Sequence, residues 1–291
     1  MLVAPSRAER PHDVGPRATA GACPFCPGNE AETPPEVLVE RPGGGPPDGP
    51  GWLVRAFQNK FPALPPEDGV HEVIVNTPRH VGRFADLTDE EAARAAGAWA
   101  ERLAAVAGDP RGLWPFLFLN QGAEAGASLE HTHAQLVGLP FAPPHLVARE
   151  RAFAESARCP VCAELETAGE RVIAEGEGLV AYVPEVPPLS GTVRVAPARH
   201  APAWDEETDH AAVGRLVRRL LTRLGAAFDA PAANLWLHAR HPGGTDRYHW
   251  HIDAVPRLGT LAGLELGAGV VAAAHSPEAV AERVRGAPEP V

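Results

Sequence analysis

The four cysteines of this 291-residue chain fall into two Cys-Pro-x-Cys pairs, Cys23 with Cys26 and Cys159 with Cys162. Pairs at this spacing read as metal knuckles or as redox motifs. A redox pair sits beside a helix start in a βαβ setting, and neither pair is expected to, so metal binding leads. A tetrahedral zinc shell takes four thiolate or imidazole ligands. Two histidines follow each pair and complete such a set: His80 and His131 with Cys23 and Cys26, His200 and His249 with Cys159 and Cys162. The steps of 54 residues from Cys26 to His80 and 38 from Cys162 to His200 are unlike a zinc finger. The fold, rather than a local loop, must assemble these ligands.

The run His131-Thr132-His133-Ala134-Gln135 carries a second kind of chemistry. On a strand, residues two apart share a face, so His131, His133 and Gln135 are expected to point to one side. With His131 turned to the metal, His133 stands beside it, oriented for in-line attack. A neutral imidazole can attack a phosphorus centre and leave again, dividing one difficult transfer into two easier steps through a covalent intermediate. Just upstream, Gly122, Gly126 and Ser128 form a small-residue loop able to bring backbone N–H groups and a hydroxyl to phosphate oxygens. The parallel run His249-Trp250-His251-Ile252-Asp253 has Asp253 where the first has Gln135, and no such loop precedes it. That copy reads as structural.

These residues need elements to position them, and the chain supplies the elements twice. Aligned on the cysteine pairs, residues 53–64 parallel 179–189 as an apolar strand entering a Pro-rich turn, and residues 69–75 parallel 191–195 as a strand. Each second strand runs into a histidine, His80 or His200, and then a helix. Thr88-Asp89-Glu90-Glu91 is a capping box opening one to about Ala107, and a second helix covers about Thr208 to Phe228. Apolar strands at 116–120 and 234–237 precede the two H-x-H runs. Ser276-Pro277-Glu278 opens a last helix ending near Gly286. Repetition of one unit predicts an α+β fold, mainly antiparallel sheet with covering helices.

Composition sets outer limits. Hydrophobic residues make up 45% and charged residues 22%, enough for a packed core. The net charge of −11 argues against broad phosphate-backbone binding, so no nucleic-acid partner is expected. The first residues lack the apolar core of a signal peptide, and no run approaches the roughly 18 apolar residues of a membrane span, so the expected location is cytoplasmic. A zinc-stabilised, non-enzymatic binding module is the plainest rival to an enzyme. The acidic balance and the loop-plus-nucleophile run speak against it.

The sequence resembles the galactose-1-phosphate uridylyltransferase family of the histidine-triad superfamily, including its ADP-glucose phosphorylase-like branch. The resemblance runs from Arg7 and Arg10 through Cys23-Pro-Phe-Cys26-Pro-Gly-Asn-Glu and the H-x-H-x-Q run to the last helix. It implies two tandem histidine-triad-like half-units, 1–157 catalytic and 158–291 mainly structural and on the sugar side. It implies zinc on Cys23, Cys26, His80 and His131, His133 as nucleophile, and Gln135 bonding the phosphate oxygen. Asn120, Gly126 and Ser128 match the family's phosphate contacts, and Arg7 and Arg10 its diphosphate-holding pair. Asn59 falls at a strand-end substrate motif, followed by Lys60 where the uridylyltransferases carry Asp. The implied reaction moves a nucleoside monophosphate from a nucleotide sugar to a hexose 1-phosphate through a nucleotidyl-histidine, within galactose metabolism. A phosphorylase or hydrolase acting on ADP-sugars or dinucleoside polyphosphates is the alternative from the same superfamily. The implied partners are a nucleotide sugar, a sugar 1-phosphate or phosphate, and a second copy of the chain in a homodimer.

Overall fold

A computed structural model describes residues 23–205, 207–229 and 232–289, together with Leu2 and Ala4. Arg7 and Arg10 lie outside the described residues. Ten strands form one sheet, every neighbouring pair antiparallel. Five belong to the first half: β1 (Glu36–Glu40), β2 (Val54–Gln58), β3 (Val70–Val75), β4 (Trp114–Gln121) and β5 (His133–Leu139). Five belong to the second: β6 (Val172–Gly176), β7 (Leu179–Tyr182), β8 (Val193–Pro197), β9 (Ala233–His238) and β10 (His251–Pro256). Their order across the sheet is β1-β2-β3-β5-β4-β9-β10-β8-β7-β6. Read outward from the β4–β9 seam, the two halves repeat strand for strand, with Phe118 opposite Trp236 at the join.

Two long helices cover one face. α1 (Asp89–Ala107) starts at the capping box foreseen in the sequence: Thr88 Oγ1 accepts from the Glu91 N–H, and Glu91 accepts from the Thr88 N–H. Its counterpart α4 (His210–Phe228) begins two residues later than the sequence suggests, because Asp209 supplies the cap to the Ala212 N–H. The two helices cross tightly. A Cβ at Gly214 would stand 2.1 Å from the Ala92 carbonyl oxygen, so glycine sets how closely they approach. Beneath them pack Leu117, Leu119, Ala134 and Leu136 from the first half and Leu235, Leu237, Ile252 and Ala254 from the second. This alternation sends His133 and Gln135 to the opposite face, and His251 and Asp253 likewise.

That second face is treated differently in the two halves. Over the second half lie α2 (Pro144–Glu155) and α3 (Pro160–Thr167), sealing Phe153 and Val161 against Val180, Tyr182 and Tyr248. Neither helix shows in the sequence pattern. Cys159 is in fact the N-cap of α3, contrary to the expectation that no pair stands at a helix start, but α3 follows a helix and not a strand. A short α5 (Gly263–Ala268) and α6 (Pro277–Arg285) close the chain, α6 with the Ser276 cap read from the sequence. Among the described residues no helix is long and apolar enough to cross a membrane.

Candidate active site and metal centres

The turn that starts the described chain brings Cys23 and Cys26 under the end of β5. His131 stands just before that strand, not within it, and is turned to the sulfurs. His131 Nδ1 lies 3.6 Å from Cys23 Sγ and 3.7 Å from Cys26 Sγ, and His80 Nδ1 lies 3.3 Å from Cys26 Sγ. A tetrahedral zinc with bonds of about 2.3 Å to sulfur and 2.0–2.1 Å to nitrogen would set S and N about 3.5 Å apart. The donor set therefore fits the ion in type and spacing. His131 Nε2–H donates to the Thr77 carbonyl at 2.8 Å, which turns the Nδ1 lone pair toward the cysteines. Burial drops the His131 pKa to about 4, keeping the imidazole neutral, and raises that of the Cys23 thiol to about 11. Ionising thiols there calls for a cation to take the proton's place.

The second set repeats this arrangement. His249 Nδ1 lies 3.6 and 3.5 Å from Cys159 and Cys162 Sγ, and His200 Nδ1 lies 3.6 Å from Cys162 Sγ. His200 Nε2–H donates to the Asp246 carbonyl at 2.9 Å. In each set all four ligand atoms lie within 4.8 Å of one another.

His133 opens β5. Its Nδ1–H donates to the His131 carbonyl at 2.7 Å, which fixes the neutral tautomer with the lone pair on Nε2. Two positions on, Gln135 Oε1 is 3.0 Å from His71 Nε2, while His71 Nδ1 accepts from the Ala63 N–H at 2.9 Å. Because Nδ1 accepts, the His71 proton is on Nε2 and is given to Gln135, so the Gln135 amide is oriented with its NH2 free of that bond. His71 was missed in the sequence. Only its alternate position on a strand beside the motif could have flagged it.

His133 and Gln135 face a cavity of about 450 Å³. Asn59, Ser128, His133 and Gln135 are on its wall, with Phe25, Phe57, Phe61 and Val73 supplying flat apolar surface. Asn120 and Gly126 are not on the wall. They hold the loop that carries Ser128: Gly126 adopts φ +85°, and Asn234 from the second half donates to both the Asn120 side chain and the Ala125 carbonyl at 2.8 Å. Asn234 is another residue the sequence did not single out.

In the second half the equivalent polar groups are tied to partners, on the wall of a cavity of about 340 Å³. His251 Nδ1–H donates to the His249 carbonyl at 2.8 Å, but its Nε2 accepts from Arg149 Nη1 at 2.8 Å. Asp253 is gripped by Arg194 at 2.8 and 3.0 Å and touches His238 Nε2 at 3.2 Å. Burial opposes the Asp253 charge, yet the Arg194 guanidinium holds its pKa well below the usual carboxylate range.

Residues 54–143 match the family described as galactose-1-phosphate uridyl transferase, N-terminal domain. ADP-glucose phosphorylase of Arabidopsis thaliana is 28% identical over 320 positions, spanning 98% of this chain and 89% of that protein. A galactose-1-phosphate uridylyltransferase of Streptomyces lividans is 33% identical over 190 positions, spanning 63% of this chain and 50% of its own. A solved ADP-glucose phosphorylase from Arabidopsis thaliana with bound ADP-glucose superposes at a TM-score of 0.83 and 26% identity, covering 98% of this chain and 94% of that one.

Proposed function

We propose, on its likeness to the galactose-1-phosphate uridylyltransferase family and that family's ADP-glucose phosphorylase branch, that the chain transfers a nucleoside monophosphate from a nucleotide sugar to a hexose 1-phosphate by way of His133. The observation that carries this reading is the His133 tautomer: Nδ1–H is tied to the His131 carbonyl, leaving a nucleophilic lone pair on Nε2 at the wall of a nucleotide-sized cavity. In the first step Nε2 attacks the α-phosphorus. The bond from that phosphorus to its bridging oxygen breaks, and the sugar 1-phosphate departs with the electron pair. In the second step a phosphate oxygen of the acceptor attacks the same phosphorus, and the N–P electrons return to Nε2.

Gln135, held from behind by His71, offers its NH2 to the phosphoryl oxygen, where negative charge builds in both steps. Ser128 and the Gly126 loop held by Asn120 take the neighbouring oxygens, Asn59 on the cavity wall contacts the substrate, and Arg7 and Arg10 steady the diphosphate. The apolar wall of Phe25, Phe57 and Val73 suits a nucleobase. Cys23, Cys26, His80 and His131 would hold zinc, and Cys159, Cys162, His200 and His249 a second. Bound there, each ion is a structural cross-link between a cysteine turn and a strand end. The division near residue 157 then separates the half that does the chemistry from the half that supports it.

A second acceptor, inorganic phosphate, is supported by the likeness to the Arabidopsis ADP-glucose phosphorylase, which spans 98% of this chain. Product analysis decides between them. Incubation with UDP-glucose and galactose 1-phosphate yields UDP-galactose under the first reading, and incubation with ADP-glucose and phosphate yields ADP under the second. Intact-mass measurement with nucleotide sugar and no acceptor tests the shared step. Wild type should gain one nucleoside monophosphate, and turnover with no trapped or exchanging phosphohistidine would overturn the mechanism.

A further inference from the structure

Lys60 is the single lysine of the chain; the other 25 of its 26 basic side chains are arginine. Arginine takes every ion pair with a carboxylate seen among the described residues apart from one His238–Asp253 contact, including the buried ones at Glu72 and Asp253. Its planar fork suits such pairs, whereas lysine brings a compact ammonium on a flexible stem. The one ammonium stands on the wall of the first-half cavity, next to Asn59, whose Oδ1 accepts from the Phe61 N–H at 2.8 Å and so shapes the turn. Among the described residues it is the only cation on that wall, and it has no ion-pair partner there. The second half lacks it. Phe57 pairs with Val73 and Tyr182 pairs with Arg194, so three residues further on the counterpart of Lys60 is Glu185, of opposite charge.

Among the described residues, Gln135, Ser128 and Asn59 on the same wall are uncharged. Amides and hydroxyls orient a diphosphate but do not balance its charge, and Glu32 on the same wall adds another negative group. We propose that Lys60 meets the anionic phosphoryl oxygens of the nucleotide in this cavity, as a substrate-contacting residue that selects the phosphorylated ligand over the bare nucleoside. The inference rests on the nucleotide reading above.

The composition supplies its own probe. Reductive methylation has two kinds of target in this chain, the Lys60 amine and the chain's amino terminus, and peptide mapping separates them. ADP or UDP should slow methylation of Lys60 at least about tenfold, while adenosine and uridine should not, and the urea-unfolded protein should serve as the unprotected control. Equal protection by the nucleosides would overturn the contact with phosphate. Nucleotide binding seen by calorimetry without protection of Lys60 would overturn this inference alone, whereas absence of any nucleotide binding would overturn the functional reading with it. Lys60→Met should raise the Kd for the nucleoside diphosphate about ten- to a hundredfold, the loss expected for a charged hydrogen bond. Lys60→Arg, which keeps the charge on a larger head, should fall between the two. A Lys60→Met protein that binds ADP and UDP as wild type does would overturn the proposal.

Discussion

The two halves of the sheet have the same strands in the same register and opposite interiors. In the first, β3 and β5 set Val73 beside Gln135; in the second, the same cross-strand position holds Arg194 beside Asp253. An apolar residue and a neutral amide leave room and exposed donors. A guanidinium and a carboxylate consume one another in a buried pair, reinforced by Glu164 through Arg194 and by Tyr182 through Glu164. His133 and His251 share the same tautomer-fixing bond, and the Nε2 lone pair of His251 accepts from an arginine of α2. A repeated fold can thus carry the same Cys2His2 set in both copies while one copy sets a histidine and an amide on its cavity wall and the other ties the same positions into a charged, hydrogen-bonded cluster.

The sharpest way to break this comparison is to exchange the roles of the two histidines. His133→Ala should abolish the nucleotidyl mass gain and lower turnover on the order of 10⁴-fold or more, as expected for loss of a nucleophile. His251→Ala should keep the mass gain and lose stability instead, by about 1–3 kcal/mol, since it strips Arg149 of its acceptor. A His251→Ala protein that no longer takes up the nucleotide would show that the second half takes part in the chemistry.

The metal sets should behave alike where the cavities do not. Mass spectrometry of dialysed wild type should find two zinc ions per chain. His131→Ala and His249→Ala should each remove one of them and lower the melting temperature, because metal binding is coupled to folding. Retention of two ions in His131→Ala would remove His131 from the shell.

Asp253→Asn tests the charged cluster of the second half directly. Leaving Arg194 buried with a neutral partner should cost about 3–5 kcal/mol in denaturant unfolding. The sign of its pH dependence follows from the pKa. Asp253 is held below its unfolded value, so its contribution is present above about pH 4 and fades as the pH falls beneath it. The gap between wild type and variant should therefore narrow only in acid. A constant gap down to low pH would mean that the pair contributes packing rather than charge.

The smallest effect belongs to His71, whose counterpart in the second half is Thr192 by the same register. His71→Ala frees the Gln135 amide to rotate and should lower kcat/KM about tenfold with little change in nucleotide affinity. An affinity loss as large as the rate loss would make His71 a packing residue.

Much of this was legible in the chain. The Cys-Pro-x-Cys pairs, the H-x-H runs, the Thr88 capping box and the Ser276 cap are local patterns, and local spacing with residue type is what strand and helix periodicity translate into structure. Repetition of those patterns was enough for the doubled α+β architecture. The outer strands β1 and β6 escaped because their half-exposed positions carry no clean alternation, with Glu36 and Glu40 ending one and Glu175 and Gly176 ending the other. What only the tertiary structure decided is which half binds its H-x-H run into a charged cluster. Arg149 meets His251 across 102 residues and His71 meets Gln135 across 64, and no periodicity encodes such partners. They are set by strand order and by the docking of α2 and α3, where burial makes an unpaired polar group costly enough to select its neighbour.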